Sequence, residues 1–219
     1  DVCSGFFVTQ RFVTQASQSS WDRRAELDVF HATPSAQSAC GMEDFMKVVD
    51  MHCDTIAALY ENKEKGWTLQ DNRLHIRLDK MKQGDYLLQN FALFVCIENC
   101  EDPYQQALTL ADCFDRQMAL FPEQIGQVRC YNDILENQKN GRMSALLTIE
   151  EGAVCQGSLE KLREFYDRGV RMLTLTWNFP NEIGFPNFAI SGDGKPDRTV
   201  PNTKDGLTEF VFGTVLSGL

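Results

Sequence analysis

The sequence predicts an α/β fold built on a parallel sheet. Three observations predict it: short apolar runs recur along the chain, helices with one apolar stripe separate them, and the residues with chemical reach stand at the ends of the runs. Val48-Val49-Asp50-Met51 is the first run, apolar enough to fill a buried parallel strand over residues 47–51. Phe91 to Ile97 is the second. Asp102 followed by Pro103 reads as an N-cap with proline at the first helical position, and the helix it opens carries Leu110, Ala111, Phe114 and Met118 on one stripe. A shorter helix is expected from its cap at Asn132 to Asn140, with Gly141 ending it.

Ala145 to Ile149 is the third strand and ends at Glu150. Ser158 caps a helix that turns Leu159, Leu162, Phe165 and Tyr166 inward, and Gly169 stops it. Val170 to Thr176 is the fourth strand. Strand, helix and strand at this spacing make a right-handed βαβ unit. The stretch from Trp177 to about Asn202, rich in Gly, Pro and Asn, reads as a loop. Alternation of this kind leaves the doubly wound sheet and the eight-stranded barrel. Neither GxGxxG nor GxxxxGK follows any strand, so nucleotide binding gains little support.

The start of the chain is different. Residues 1–41 are rich in Ser, Gln and Thr without a sustained period, and Asp22 to Phe30 forms at most a helical turn or two. The expected division is an irregular head over residues 1–45 and an α/β unit over residues 46–219. With GAG at Glu43, the codons of Met42 to Met46 contain GGAGG shortly before the Met46 codon, the pattern of a bacterial ribosome-binding site. Translation is therefore expected to start at Met46, with residues 1–45 read from upstream DNA.

Bulk properties exclude some functions. A net charge of −10 over 219 residues disfavours nucleic acid and anionic membrane surfaces, which need clustered Lys and Arg. No apolar run reaches the length of a membrane span, and the opening residues lack the layout of a signal peptide. The eight cysteines include no CxxC pair and only three histidines accompany them, so reduced thiols packed as small hydrophobes in a cytoplasmic protein are expected.

The chemistry gathers where strands end, the place barrels use for it. His52 and Asp54 lie two residues apart at the end of the first strand and project from one face, offering an imidazole nitrogen and a carboxylate oxygen to a borderline ion such as zinc. Glu150 ends another strand and faces the same opening. The plain alternative for it is a solvated loop carboxylate, which the neighbouring Glu151 favours. Two such strand ends could hold one metal, or two through a bridging carboxylate.

Here the chain resembles a known family. Val49-Asp50-Met51-His52-Cys53-Asp54 is similar to the HxD signature that opens the membrane (renal) dipeptidases, and Ile149-Glu150-Glu151-Gly152 to their Glu-Gly-Gly segment. The run from Ser158 to Asn178 resembles the helix and strand that follow there, and Gly206-Leu207-Thr208-Glu209-Phe210 the segment that opens the next helix. The resemblance implies a metal-dependent (β/α)8 barrel of the TIM type, covered over about its first four strands by residues 46–210. It implies Zn2+, two per complete site: His52 and Asp54 hold one ion, Glu150 bridges to the second, and a hydroxide between the ions attacks the carbonyl of a dipeptide, including forms with a D-residue on the C-terminal side. Trp177 stands where animal members have a substrate-binding histidine; it is a candidate substrate contact, or a ring covering the barrel mouth.

The chain also departs from that pattern. From Met46 to Leu219 it falls short of the roughly 250 residues a full barrel takes. Its histidines are His31, His52 and His75, and none lies where the ligands of a second zinc are expected. Residues after Phe210 no longer resemble the family helix, so a truncated or frameshifted product, catalytically incomplete, is expected. Open sheet edges should make it aggregate or pair as a homo-oligomer. The rivals are a non-catalytic fragment or interaction protein, and another metal-dependent amidohydrolase, though those usually open with HxH.

Overall fold

The computed structural model describes residues 7–9, 47–203 and 206–211. Three strands begin the chain's contribution to one sheet: β1 (Phe7–Thr9), β2 (Val48–Cys53) and β3 (Tyr86–Phe94). Helices α1 (Thr55–Glu61) and α2 (Leu78–Gln83) lie between β2 and β3. The long helix α3 (Pro103–Leu120) follows, then β4 (Ile125–Gln127), α4 (Tyr131–Lys139), β5 (Met143–Glu150), α5 (Leu159–Arg168) and β6 (Val170–Thr174). A separate hairpin pairs β7 (Phe188–Ile190) with β8 (Pro196–Pro201), antiparallel.

The main sheet is parallel throughout, in the order β1-β6-β5-β3-β2. β4 pairs with the start of β5, and β6 takes over that edge from Leu147 onward. β3 and β5 run side by side from Leu88 opposite Ser144 to Phe94 opposite Glu150. Side chains on successive residues alternate between faces. Phe91, Leu93, Ala145, Leu147 and Ile149 join Leu110, Phe114, Leu162 and Phe165 in one core between sheet and helices. Every one of these is buried, and the Phe91 and Phe114 rings meet at 5.9 Å.

Local chemistry explains the helix limits. The Asp102 carboxylate accepts from the Gln105 amide at 3.1 Å and Pro103 takes the first helical position, so α3 starts where the sequence predicts. Ser158 Oγ accepts from the Lys161 amide, and Gly169 at φ +107° closes α5, a backbone that glycine adopts without strain. α4 starts at Tyr131 rather than after an Asn132 cap, because Asp133 Oδ2 reaches back to accept from the Arg129 and Cys130 amides at 2.7 and 3.1 Å.

Other expectations are corrected. The second strand begins at Tyr86 and ends at Phe94, short of Ile97, where a 3₁₀ turn begins. The Trp177–Asn202 stretch is not all loop: β7 and β8 form there, joined by a turn in which the Ser191 amide and hydroxyl both donate to the Lys195 carbonyl at 2.8 Å. The head is not wholly irregular, since Phe7–Thr9 pair in parallel with Met172–Thr174. A strand at a sheet edge needs only its backbone N–H and C=O groups, so three residues can add to it without a periodic apolar face. The Asp22–Phe30 helical turn, His31 and the Met42–Met46 segment lie outside the described residues. The described cysteines Cys53, Cys96, Cys100, Cys113, Cys130 and Cys155 are free thiols, with Cys113 and Cys155 buried. Among the described residues no helix is long and apolar enough to cross a membrane.

Candidate metal centre

β2 and β5 stand two strands apart and deliver their C-terminal residues to the same end of the sheet. His52 lies near the end of β2, Asp54 follows it at the entry to α1, and Glu150 is the last residue of β5. His52 Nε2 lies 3.4 Å from Asp54 Oδ1 and 3.0 Å from Glu150 Oε2. One donor atom from each residue falls within 4.8 Å of the others, and this is the one such group among the described residues. The Asp50 carboxylate accepts from the His52 amide at 3.1 Å and steadies the strand end.

The three side chains differ in solvent contact. Asp54 is 56% exposed, the imidazole is half-buried and Glu150 is 6% exposed. The expected alternative for Glu150, a solvated loop carboxylate, is therefore corrected: Glu150 and Glu151 are both buried. Hydrogen bonding to Asp54, then to Glu150, raises the His52 pKa to about 9 against the opposing effect of burial. Two carboxylates facing one imidazole form a pocket for positive charge. Such a pocket favours a proton on the imidazole, and its donor set of one nitrogen and two oxygens is one that a divalent ion such as zinc would suit. Cys53, the intervening residue, is pushed up to about 11 by burial, which keeps it a neutral thiol.

Trp177 is half-buried, its ring edge-on to Phe94 at a centroid distance of 4.9 Å and 68°. Phe94 is the strand partner of Glu150, so the indole packs over the strand next to the one that carries Glu150. His75 is exposed in the loop before α2.

Sequence reading missed Glu151. It follows Glu150 with φ +100° and ψ 96°, a backbone region that costs a non-glycine residue on the order of 1–3 kcal/mol. Its Oε1 accepts from the Ala153 amide at 3.0 Å and from Asn181 Nδ2 at 2.6 Å, and its Oε2 accepts from the Trp177 amide at 3.2 Å. Burial raises its pKa while those three hydrogen bonds oppose the rise. The signal available was Gly152: a Cβ there would meet the Leu175 carbonyl oxygen and Ile183 Cδ1, each at 2.5 Å. Glu-Gly after a strand-end carboxylate marks a backbone turning sharply against another segment.

Comparison with known proteins follows the same line. The sequence profile of the membrane dipeptidases (peptidase family M19) matches residues 37–213. An uncharacterised dipeptidase of Schizosaccharomyces pombe is 31% identical over 135 residues, 57% of this chain and 32% of that protein. Dipeptidase 3 of Rattus norvegicus is 31% identical over 151 residues, 64% of this chain and 29% of that one. The crystal structure of dipeptidase AC, a metallopeptidase of family M19, matches with a TM-score of 0.61 at 24% identity, covering 75% of this chain and 51% of that one. A metallopeptidase from Rhodobacter sphaeroides, solved with a phosphinate mimic of the dipeptide L-Ala-D-Ala, matches with a TM-score of 0.57 at 21% identity, over 65% of this chain and 48% of that one. The chain spans about a third of the length of these curated relatives and about half of these solved structures.

Proposed function

Because the chain belongs to the membrane dipeptidase family, we propose that it carries part of a zinc-dependent dipeptidase barrel, with residues 46–219 as its N-terminal half. In this reading His52 and Asp54 hold one zinc and Glu150 bridges toward a second. The observation that carries it is the convergence of an imidazole and two carboxylates from two strand ends within 4.8 Å. When bound, the metal polarises the scissile carbonyl of a dipeptide and makes the attacking water more acidic. Asp54, exposed at the mouth, meets solvent and substrate first, while buried Glu150 fixes the position of the imidazole.

Trp177 would form the wall against which a dipeptide side chain packs, its ring held by Phe94. The phosphinate dipeptide mimic bound by the Rhodobacter sphaeroides relative supports dipeptides, with a D-residue on the C-terminal side, as the substrate class. Among the described residues the second zinc position has one candidate ligand, Glu150, so on this reading these residues hold one zinc.

Zinc titration tests the centre. About one zinc per chain is expected. His52→Ala or Glu150→Ala should lower the affinity by more than the roughly 10–100-fold that a lost outer-shell partner costs. The pH dependence has a definite sign. Zinc needs the neutral imidazole, and hydrogen bonds to Asp54 and Glu150 push the His52 pKa up to about 9. Affinity should therefore rise from pH 6 to pH 8, by up to about tenfold per unit, with proton release on binding. Affinity that stays flat over that range would show that the carboxylates do not hold a proton on His52, and unchanged affinity in His52→Ala would remove it from the ligand set.

A further inference from the structure

At Glu150 the chain delivers a carboxylate to the metal opening; one residue later it delivers another to a different place. Glu151 is fully buried and adopts a positive φ that glycine would take freely. None of the described cationic side chains pairs with it, and its three partners are neutral donors: the Ala153 amide, the Asn181 side-chain amide and the Trp177 amide. A buried carboxylate and a strained backbone are two costs at one position. A residue needed only to turn the chain would be glycine, so the carboxylate itself is what the position retains.

Its partners show what it holds. Asn181 passes the anchorage along the chain: its Oδ1 accepts from the Ile183 and Gly184 amides at 2.8 and 3.1 Å, and its Nδ2 also donates to the Leu175 carbonyl at 2.8 Å. The whole segment from Leu175 to Gly184 is thus folded around one carboxylate. Gly152 brings the two backbones into contact, since no Cβ fits between it and Leu175. Trp177 is gripped twice, through its amide by Glu151 and through its ring by Phe94, the strand partner of Glu150.

We infer that Glu151 is a positioning residue whose carboxylate fixes the 175–184 segment, and with it the Trp177 indole, on the rim of the metal opening. The inference rests on the reading of His52, Asp54 and Glu150 as the metal site. It makes the two adjacent glutamates divide the work: Glu150 faces the ion, and Glu151 faces the wall that substrate would touch.

The test uses the 219-residue chain with Trp21→Phe and Trp67→Phe, which leaves Trp177 as the sole tryptophan, excited at a wavelength the tyrosines do not absorb. Glu151→Gln keeps the shape but sets an N–H2 against an N–H donor in either orientation, because both carboxylate oxygens accept hydrogen bonds. Far-UV circular dichroism should be retained. Trp177 emission should move to the red, and hydrogen exchange at the Trp177 amide should speed up about tenfold, the factor that one lost hydrogen bond to a charged group is worth. Glu151→Gly serves as the second variant, because it removes the carboxylate while relieving the positive φ and so does not depend on tolerating a strained backbone. A folded variant of either kind with unchanged Trp177 emission and exchange overturns the inference. Zinc affinity is read in parallel: failure of the parent to bind zinc sinks the metal reading, while shifted Trp177 signals in the Glu151 variants still support the anchoring.

Discussion

Supplied with excess zinc, the 219-residue chain is expected to hydrolyse dipeptides no faster than buffer. The reason is a count of ligands. His52, Asp54 and Glu150 make one complete set, and among the described residues no further group of His, Cys, Asp and Glu gathers donors this closely. On the proposed reading a bound pair of ions would together polarise the carbonyl and activate the attacking water, so residues that hold one ion would not keep half of the rate. The expected loss is the whole enzymatic acceleration, on the order of 10⁶-fold or more. The sheet points the same way. β2 has a partner on one side, β3, and none among the described strands on the other, and Val48, Val49 and Met51 are 37%, 47% and 53% exposed along it. Such an edge pairs readily with another chain, so light scattering should detect self-association. Joining the remaining strands of the barrel to this chain should restore zinc-dependent turnover, and His52→Ala or Glu150→Ala should then abolish it. Turnover by the short chain that disappears with Glu150→Ala would show that three ligands suffice.

Phe91→Ala should cost about 3–5 kcal/mol of stability, the upper range for a single core substitution. Phe91 sits on β3, between β2 and β5, with no exposed surface, and packs its ring against Phe114 of α3. Truncation leaves a cavity at the junction of sheet and longest helix, where neither partner can move in without breaking strand pairing. Against a total stability of roughly 5–15 kcal/mol this removes a large share. Urea denaturation should show a much lower midpoint with a similar slope. A change below about 1 kcal/mol would mean that the sheet–helix interface does not carry the fold.

The parts of this structure that follow from local chemistry could be read before the structure was known. The Asp102-Pro103 start of α3, the Ser158 and Gly169 limits of α5 and the strand ending at Glu150 each depend on neighbours in sequence. So does the i, i+2 placement of His52 and Asp54, although only the fold brings Glu150 to within 3.0 Å of the imidazole. What escaped depends on distant partners. Glu151 looks like a second solvated acid until Trp177 and Asn181 fold over it. β4 and the β7–β8 hairpin are short, with little pattern to detect, and form because β5 and a five-residue turn hold them in place. α1 escaped because its buried Ile56 and Leu59 span less than one turn of periodicity.

The pairing of β1 with β6 has a consequence for the order in which the sheet assembles. Joining Phe7 to Met172 closes a loop on the order of seven times longer than the one closed by Leu147 and Val170. The difference in closure entropy is about 1.7 kcal/mol, set against a strand of only three residues. Contacts this far apart in sequence form late, after the local β5–α5–β6 unit has already given them an edge to dock on. On this accounting β1 is expected to dock last and to detach first, leaving the edge of β6 bare while the rest of the sheet stays folded. In native-state hydrogen exchange, the amides of Phe7–Thr9 should open well below the free energy that protects β3 and β5.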